Sequence, residues 1–144
     1  MRTAQELKNL IAKAGMEDLT AALADTPSPN ARIIPDIGVL IITKGLVELL
    51  DDDEMLAVLL HEKSHLDRVE LRADGICNGF ELPDIARLRE RVADADAVKG
   101  LEERGIGKEA MVRALNKVAE ALGLNLAEEA MDHPSMKERI EAIA

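Results

Sequence analysis

The residues best suited to do chemistry are His61-Glu62-Lys63-Ser64-His65. On an α-helix, positions i and i+4 lie one above the other on the same face, so His61 and His65 present two imidazoles to one point in space. Glu62 sits about 100° further round the helix. A helical HExxH segment is the pattern of a zinc site in which the glutamate holds a water and serves as its general base. A chance HExxH on a solvated helix is the plain alternative. The neighbours speak against it. Met55, Leu56, Val58, Leu59 and Leu60 make the segment apolar nearly all round, so the helix is expected to be buried. Two histidines and a glutamate buried without partners would cost several kcal/mol, and a metal satisfies both histidines at once.

A catalytic zinc needs a third protein ligand and an open fourth position. No third histidine stands at the spacing that would continue the motif: six residues past His65 is Leu71, and His133 is far along the chain. A carboxylate from another helix is therefore expected. Two segments read Glu-x-x-Ala-Asp, one from Glu70 to Asp74 and one from Glu90 to Asp94. If the histidine helix simply continues, Glu70 falls about 900° beyond His61, on the opposite face. Before Glu90 lie Gly75, Gly79 and Pro83, which allow a second helix to return antiparallel. Glu90 is the preferred third ligand and Glu70 the alternative. Asp94, one turn after Glu90, could accept a hydrogen bond from a ligand histidine.

These residues must be held by the elements around them. Leu7, Leu10 and Ile11 predict a helix over residues 3–14, stopped by Gly15, and a second short helix is expected over 17–24. Pro27 and Pro29 then break the pattern. Residues 31–34 and 39–43 are rich in β-branched types and predict two strands joined by a turn at Pro35-Asp36-Ile37-Gly38. A short helix over 45–50 precedes the histidine helix, for which Asp51 to Glu54 supply an N-cap and first-turn acids. Residues 67–82 are read as helix plus loop. Long helices are expected over 84–104 and 108–122, ended by Gly105 and Gly123, and a last short one beginning near Pro134. The expected architecture is α+β, mostly helical, with a small β-hairpin or sheet ahead of the histidine helix, as a single domain over residues 1–144.

Composition sets limits on function. Of the 144 residues, 28 are acidic and 18 basic, a formal charge of −10, and aromatic types are reduced to one Phe. Nucleic acid is an unsuitable partner, because its recognition uses clustered Lys and Arg and aromatic stacking platforms. The single cysteine, Cys77, excludes an internal disulfide. The amino-terminal segment reads as an amphipathic helix rather than a signal peptide, and no run approaches the about 20 apolar residues of a membrane span. A soluble, cytoplasmic protein is expected.

Five segments together resemble one family. Asn30 to Pro35 resembles the strand ahead of its active site, and Thr43-Lys44-Gly45-Leu46 its threonine, basic residue, Gly-Leu stretch. Asp53 to Glu62 is similar to its run into HExxH, and Glu90 to Asp94 to its glutamate helix. The ending His133-Pro134-Ser135 to Arg139-Ile140 looks like its closing motif. The family is that of the HtpX-type proteases and CAAX prenyl endopeptidases, zinc metallopeptidases of the gluzincin clan. The resemblance implies a zincin-like fold, Zn2+ on His61, His65 and Glu90, Asp94 supporting the metal shell, and Glu62 as general base. It also implies a peptide or protein substrate. Relatives often stabilise the oxyanion with Tyr, His or Arg. Tyr is absent here, which leaves His133 and Arg139 for that role. Many relatives carry transmembrane helices and this chain has no such segment. Lys63 stands where a small or apolar residue is more usual. The expectation is a zinc-dependent metalloendopeptidase. Its rivals are a latent or inactive zincin-fold binding protein that retains zinc, and a structural helical module with a fortuitous motif. Substrate and oligomeric state are not legible.

Overall fold

A computed structural model describes residues 3–68, 83–123 and 136–143 of the chain. The first helix, α1 (Ala4–Lys13), opens where Thr3 accepts a hydrogen bond from the Glu6 amide, and it ends before Gly15, whose φ of 83° suits a residue without a Cβ. The second helix expected over residues 17–24 does not form. Residues Thr20–Ala24 are instead a strand, β1, lying parallel to β3 (Val39–Thr43), with Thr20 opposite Val39 and Ala24 opposite Thr43. The Ala- and Leu-rich stretch favours helix locally. The row of backbone bonds that β3 offers on its open side overrides that preference, beginning with the Thr20 amide donating to the Gly38 carbonyl.

The other two strands fall where the β-branched residues predict them. β2 (Ala31–Ile34) pairs antiparallel with β3, Ala31 opposite Ile42 and Ile34 opposite Val39, through a 3-10 turn at Pro35–Ile37. Among the described residues the sheet has three strands in the order β1-β3-β2, and β2 is the edge on the side of the histidine helix. β3 buries Leu40 and Ile42 on one face by the period-two rule.

At the end of β3 one threonine organises three segments. The Thr43 hydroxyl accepts from the Asn30 amide and from the Leu46 amide, and donates to the Asn30 carbonyl. It thereby caps α2 (Lys44–Leu49) and ties it to the entry of β2. Gly45 completes the arrangement: its amide donates to the Thr26 carbonyl, and a Cβ there would overlap the Pro27 carbonyl.

The central helix, α3 (Asp52–Asp67), carries HExxH and is started by a capping box. The Asp51 side chain accepts from the Glu54 amide at 2.8 Å, and Glu54 returns the bond to the Asp51 amide at 2.9 Å. Met55, Leu56, Leu59 and Leu60 are buried, as the apolar neighbourhood predicts, with Ala57 among them, whereas Val58 is only partly buried. Two long helices flank α3: α4 (Pro83–Glu103) and α5 (Glu109–Leu122). Gly105 and Gly123, both at positive φ, follow them, and α6 (Met136–Ile143) is the last element described. α4 lies against α3 with Ala93, Ala97, Gly100 and Leu101. A Cβ on Gly100 would come within 3.0 Å of the Leu60 side chain, so the small residues set the close approach. The architecture is α+β and mostly helical.

Glu54 also joins α3 to α5. Its fully buried carboxylate accepts from Lys117 Nζ at 2.6 Å and from Arg113 Nε at 3.1 Å. Burial pushes its pKa up, but the bonds from Lys117, the Asp51 amide and Arg113 outweigh this and hold it below the ordinary value.

Two outcomes follow. Gly45→Ala should destabilise the protein by about 1–3 kcal/mol, although alanine is the better helix former, because the added methyl meets backbone; an unchanged or raised denaturation midpoint would contradict this packing. Glu54→Ala should cost about 2–3 kcal/mol at neutral pH through the lost cap and ion pairs. Because the folded pKa is depressed, that stabilisation is present above the unfolded value of about 4.3 and is lost as pH falls through the folded one. Urea titrations of both proteins should therefore show the difference narrowing only below about pH 4.

Candidate metal centre

The spacing of four residues along α3 does what helix geometry requires. The rings of His61 and His65 stand with centroids 4.8 Å apart and planes at 84°, and their Nε2 atoms are 3.2 Å apart. α4 faces them with Glu90, whose Oε2 lies 3.1 Å from His61 Nε2 and whose Oε1 lies 3.4 Å from His65 Nε2. One turn further along α4, Asp94 Oδ1 lies 2.8 Å from His61 Nδ1. Among the described residues, His61, His65 and Glu90 are the group of His, Cys, Asp or Glu able to hold a metal ion. Glu70 and Asp74, with their alternative Glu-x-x-Ala-Asp segment, and His133 lie outside the described residues.

The donor set fits zinc in kind, since two imidazole nitrogens and one carboxylate are ordinary zinc donors. The two Nε2 atoms are 3.2 Å apart, close to the about 3.3 Å that a tetrahedral ion at about 2.0–2.1 Å would set, and Glu90 faces them with a different oxygen each, Oε2 to His61 and Oε1 to His65. The electrostatics favour positive charge at the same point. Burial lowers the His61 pKa, but the bonds to Asp94 and Glu90 outweigh it and raise it to about 10. Burial pushes Glu90 up, and His61 and His65 reverse this and hold its carboxyl well below the usual range. A field that retains a proton so firmly between these groups is equally suited to a cation.

Asp94 is itself held. Arg139, from α6, donates from Nε to Asp94 Oδ2 and from its terminal nitrogen to Oδ1, both at 2.9 Å, and that nitrogen stands 3.8 Å from Glu90 Oε2. Burial raises the Asp94 pKa, and the bonds from Arg139 and His61 bring it below the usual value. A chain of contacts thus runs from α6 through α4 to the first histidine of α3. Two residues after Asp94, Asp96 accepts from Ser64 Oγ at 2.7 Å and from two nitrogens of Arg68, just past α3, at 3.0 and 2.9 Å. Sequence reasoning missed this lock; the signal was a third acid two residues after Asp94.

Glu62 and Lys63 take opposite directions. Glu62 lines a cleft of about 210 Å³ shared with His61, His65, Glu90 and Arg139. Burial raises its carboxyl pKa above the ordinary value, opposed in part by His61 and His65. Lys63 pairs with Asp67 one turn along α3, and its stem lies over Gly15. The unusual lysine is thereby turned to the side of α3 that faces α1. The cleft also reaches Asn30 and Ala31 at the start of β2 and an apolar stretch of α5. The expectation of a helix over 108–122 did not mark that one of its faces would border the histidines.

Comparison with known proteins bears on the same helix. The model of peptidase family M48 matches residues 2–77, just over half of the chain. A protease HtpX homolog of Dictyoglomus thermophilum is 38% identical over 69 residues, covering 46% of this chain and 23% of that protein. One from Dictyoglomus turgidum is 33% identical over 73 residues, covering 49% and 24%, and one from Tropheryma whipplei is 32% identical over 77 residues, covering 51% and 26%. The chain thus spans about a quarter of the length of the curated relatives it matches. No solved structure matches it. Among the described residues no helix is long and apolar enough to cross a membrane. The family match ends before Glu90, so the glutamate's position rests on the packing of α4 alone, while His61, Glu62 and His65 lie inside the matched stretch. Because that match runs the length of the histidine-bearing helix, the chain belongs to peptidase family M48.

Proposed function

We propose that this chain is a zinc-dependent metalloendopeptidase, a zincin-like single domain over residues 1–144 that hydrolyses peptide bonds. The observation that carries the reading is Glu90, standing 3.1 and 3.4 Å from the facing nitrogens of two histidines beside a glutamate in an open cleft. Family membership supports a metal cofactor, usually zinc, and a peptide or protein substrate. Zinc bound by His61, His65 and Glu90 would supply Lewis acidity, polarising a peptide carbonyl and making a water acidic enough to give up its proton near neutral pH.

The chain's own residues do the rest. Glu62 takes the proton of the attacking water and passes it to the leaving amine. Asp94 accepts the His61 Nδ1–H and so keeps Nε2 turned to the metal position. Arg139 and His133 are the residues assigned to oxyanion stabilisation. The two bonds of Arg139 to Asp94 support a further task, that of fixing the carboxylate that orients His61. The outer edge of β2, which reaches the cleft at Asn30 and Ala31, is suited to pairing with an extended peptide. Charge and composition make nucleic acid an unsuitable partner.

Purified protein reconstituted with zinc should hold about one ion per chain. Glu62→Gln should retain the ion and lose cleavage of a casein or peptide substrate, with chelated wild type as the matching control. Absence of zinc after reconstitution would remove the reading. Glu90→Ala should weaken zinc binding far more than Glu70→Ala, and Asp94→Asn should weaken it by about 10–100-fold in a competition titration with a chromophoric chelator. The reverse order for the two glutamates would move the third ligand to Glu70.

A further inference from the structure

α4 holds α3 by carboxylates on two sides, and only one side belongs to the metal centre. Glu90 and Asp94 meet the histidines, Asp94 Oδ1 lying 2.8 Å from His61 Nδ1. Asp96 meets the last turn of α3 elsewhere. Its Oδ2 accepts from Ser64 Oγ and from Arg68 Nε, and its Oδ1 from a terminal nitrogen of Arg68. Ser64 is buried, and as the residue before His65 it lies about 100° round α3 from it. Arg68 caps the same turn, its amide donating to the Ser64 carbonyl at 2.9 Å. On α4, Asp94 and Asp96 are about 200° apart, at the two margins of the stripe that packs Ala93, Ala97 and Gly100 against α3. Asp96 opens onto a separate groove with Lys63 and Lys99, away from the cleft beside Glu62. A contact along one row alone would let α3 roll about its axis. A second row at another angle prevents that roll, and metal ligands tolerate only about 0.5 Å and 10–20° of error.

From this geometry we infer that Asp96 is a positioning residue for the metal centre. Through Ser64 and Arg68 it fixes the rotation of the last turn of α3, and with it the aim of His65 at the point shared with Glu90. The inference rests on the reading of His61, His65 and Glu90 as a zinc site. Asp94 orients the first histidine by direct contact; Asp96 acts on the second through the backbone that carries it.

Metal affinity and coordination geometry test this without requiring turnover. Asp96→Ala should weaken zinc binding about 3–10-fold in a competition titration with a chromophoric chelator. That is less than the loss of a group bonded to a ligand, because Asp96 acts one contact further out. Ser64→Ala, which leaves the Arg68 pair in place, should weaken it by a smaller factor, and it carries the same test should Asp96→Ala not fold. The cobalt(II)-loaded variants should show a visible absorption band altered in position or intensity, since that band follows ligand geometry. A merely structural contact would lower the unfolding midpoint of the metal-free chain and leave the band unchanged. Asp67→Asn removes the ion pair with Lys63 from the same turn and should leave affinity and band as in the wild type. Wild-type affinity and band in Asp96→Ala, even with a lowered midpoint, would overturn the inference, as would an equal change in Asp67→Asn. A wild-type chain that takes up neither ion would overturn the zinc reading and this inference together, whereas a metal-loaded wild type beside an unaffected Asp96→Ala would overturn this one alone.

Discussion

The seam between α3 and α4 is the contact on which the candidate site depends. α3 is buried over most of its circumference and yet carries two histidines, and a buried helix of that kind is stable only if its polar groups meet partners. α4 supplies them from one stripe: Glu90 to both histidines, Asp94 to the first, and Asp96 to Ser64 and Arg68 near the end of α3. The same stripe brings Ala93, Ala97 and Gly100 to the interface, so the helices approach closely enough for carboxylates as short as aspartate to reach across. Close packing and polar satisfaction are here the same arrangement. An enlarged residue at Gly100 and a missing carboxylate at Asp94 would disturb it from opposite sides.

The other end of α3 is secured by different means. Glu54 closes the capping box with Asp51 and reaches Arg113 and Lys117 of α5 with the same carboxylate. Such a buried ion pair is weak evidence for net stability, because desolvation offsets much of the attraction. Its consequence is directional. With Arg113 and Lys117 bound to Glu54, the face of α5 at Met111, Ala114, Leu115 and Val118 is presented to the cleft. The charge pair and the apolar wall are thus two faces of one helix, and the first orients the second.

Membership of peptidase family M48 rests on the half of the chain that ends before α4, whereas the carboxylate of the candidate metal centre comes from the half beyond it. The match covers α3 with its two histidines, and the packing of α4 places Glu90 across from them.

Much of this was legible from local physics. The four-residue spacing of His61 and His65 determines their common face on any helix, and Asp51 with Glu54 determines where that helix begins, because capping uses only neighbouring residues. The β-branched run of β3 and the turn at Gly38 likewise marked the hairpin. What sequence could not decide was anything set by a distant partner. Residues 20–24 favour helix in isolation and become a strand because β3 has an open edge to pair with. Two Glu-x-x-Ala-Asp segments look alike on paper; Glu90 stands across from the histidines because α4 packs on α3 through small side chains. Glu54 reads as an ordinary first-turn acid, and its second role appears only when α5 arrives beside it. HExxH itself was a local certainty as a helical face. Its partners were decided by the packing of helices far apart in the chain, since contacts across such separations leave no periodicity for the sequence to show.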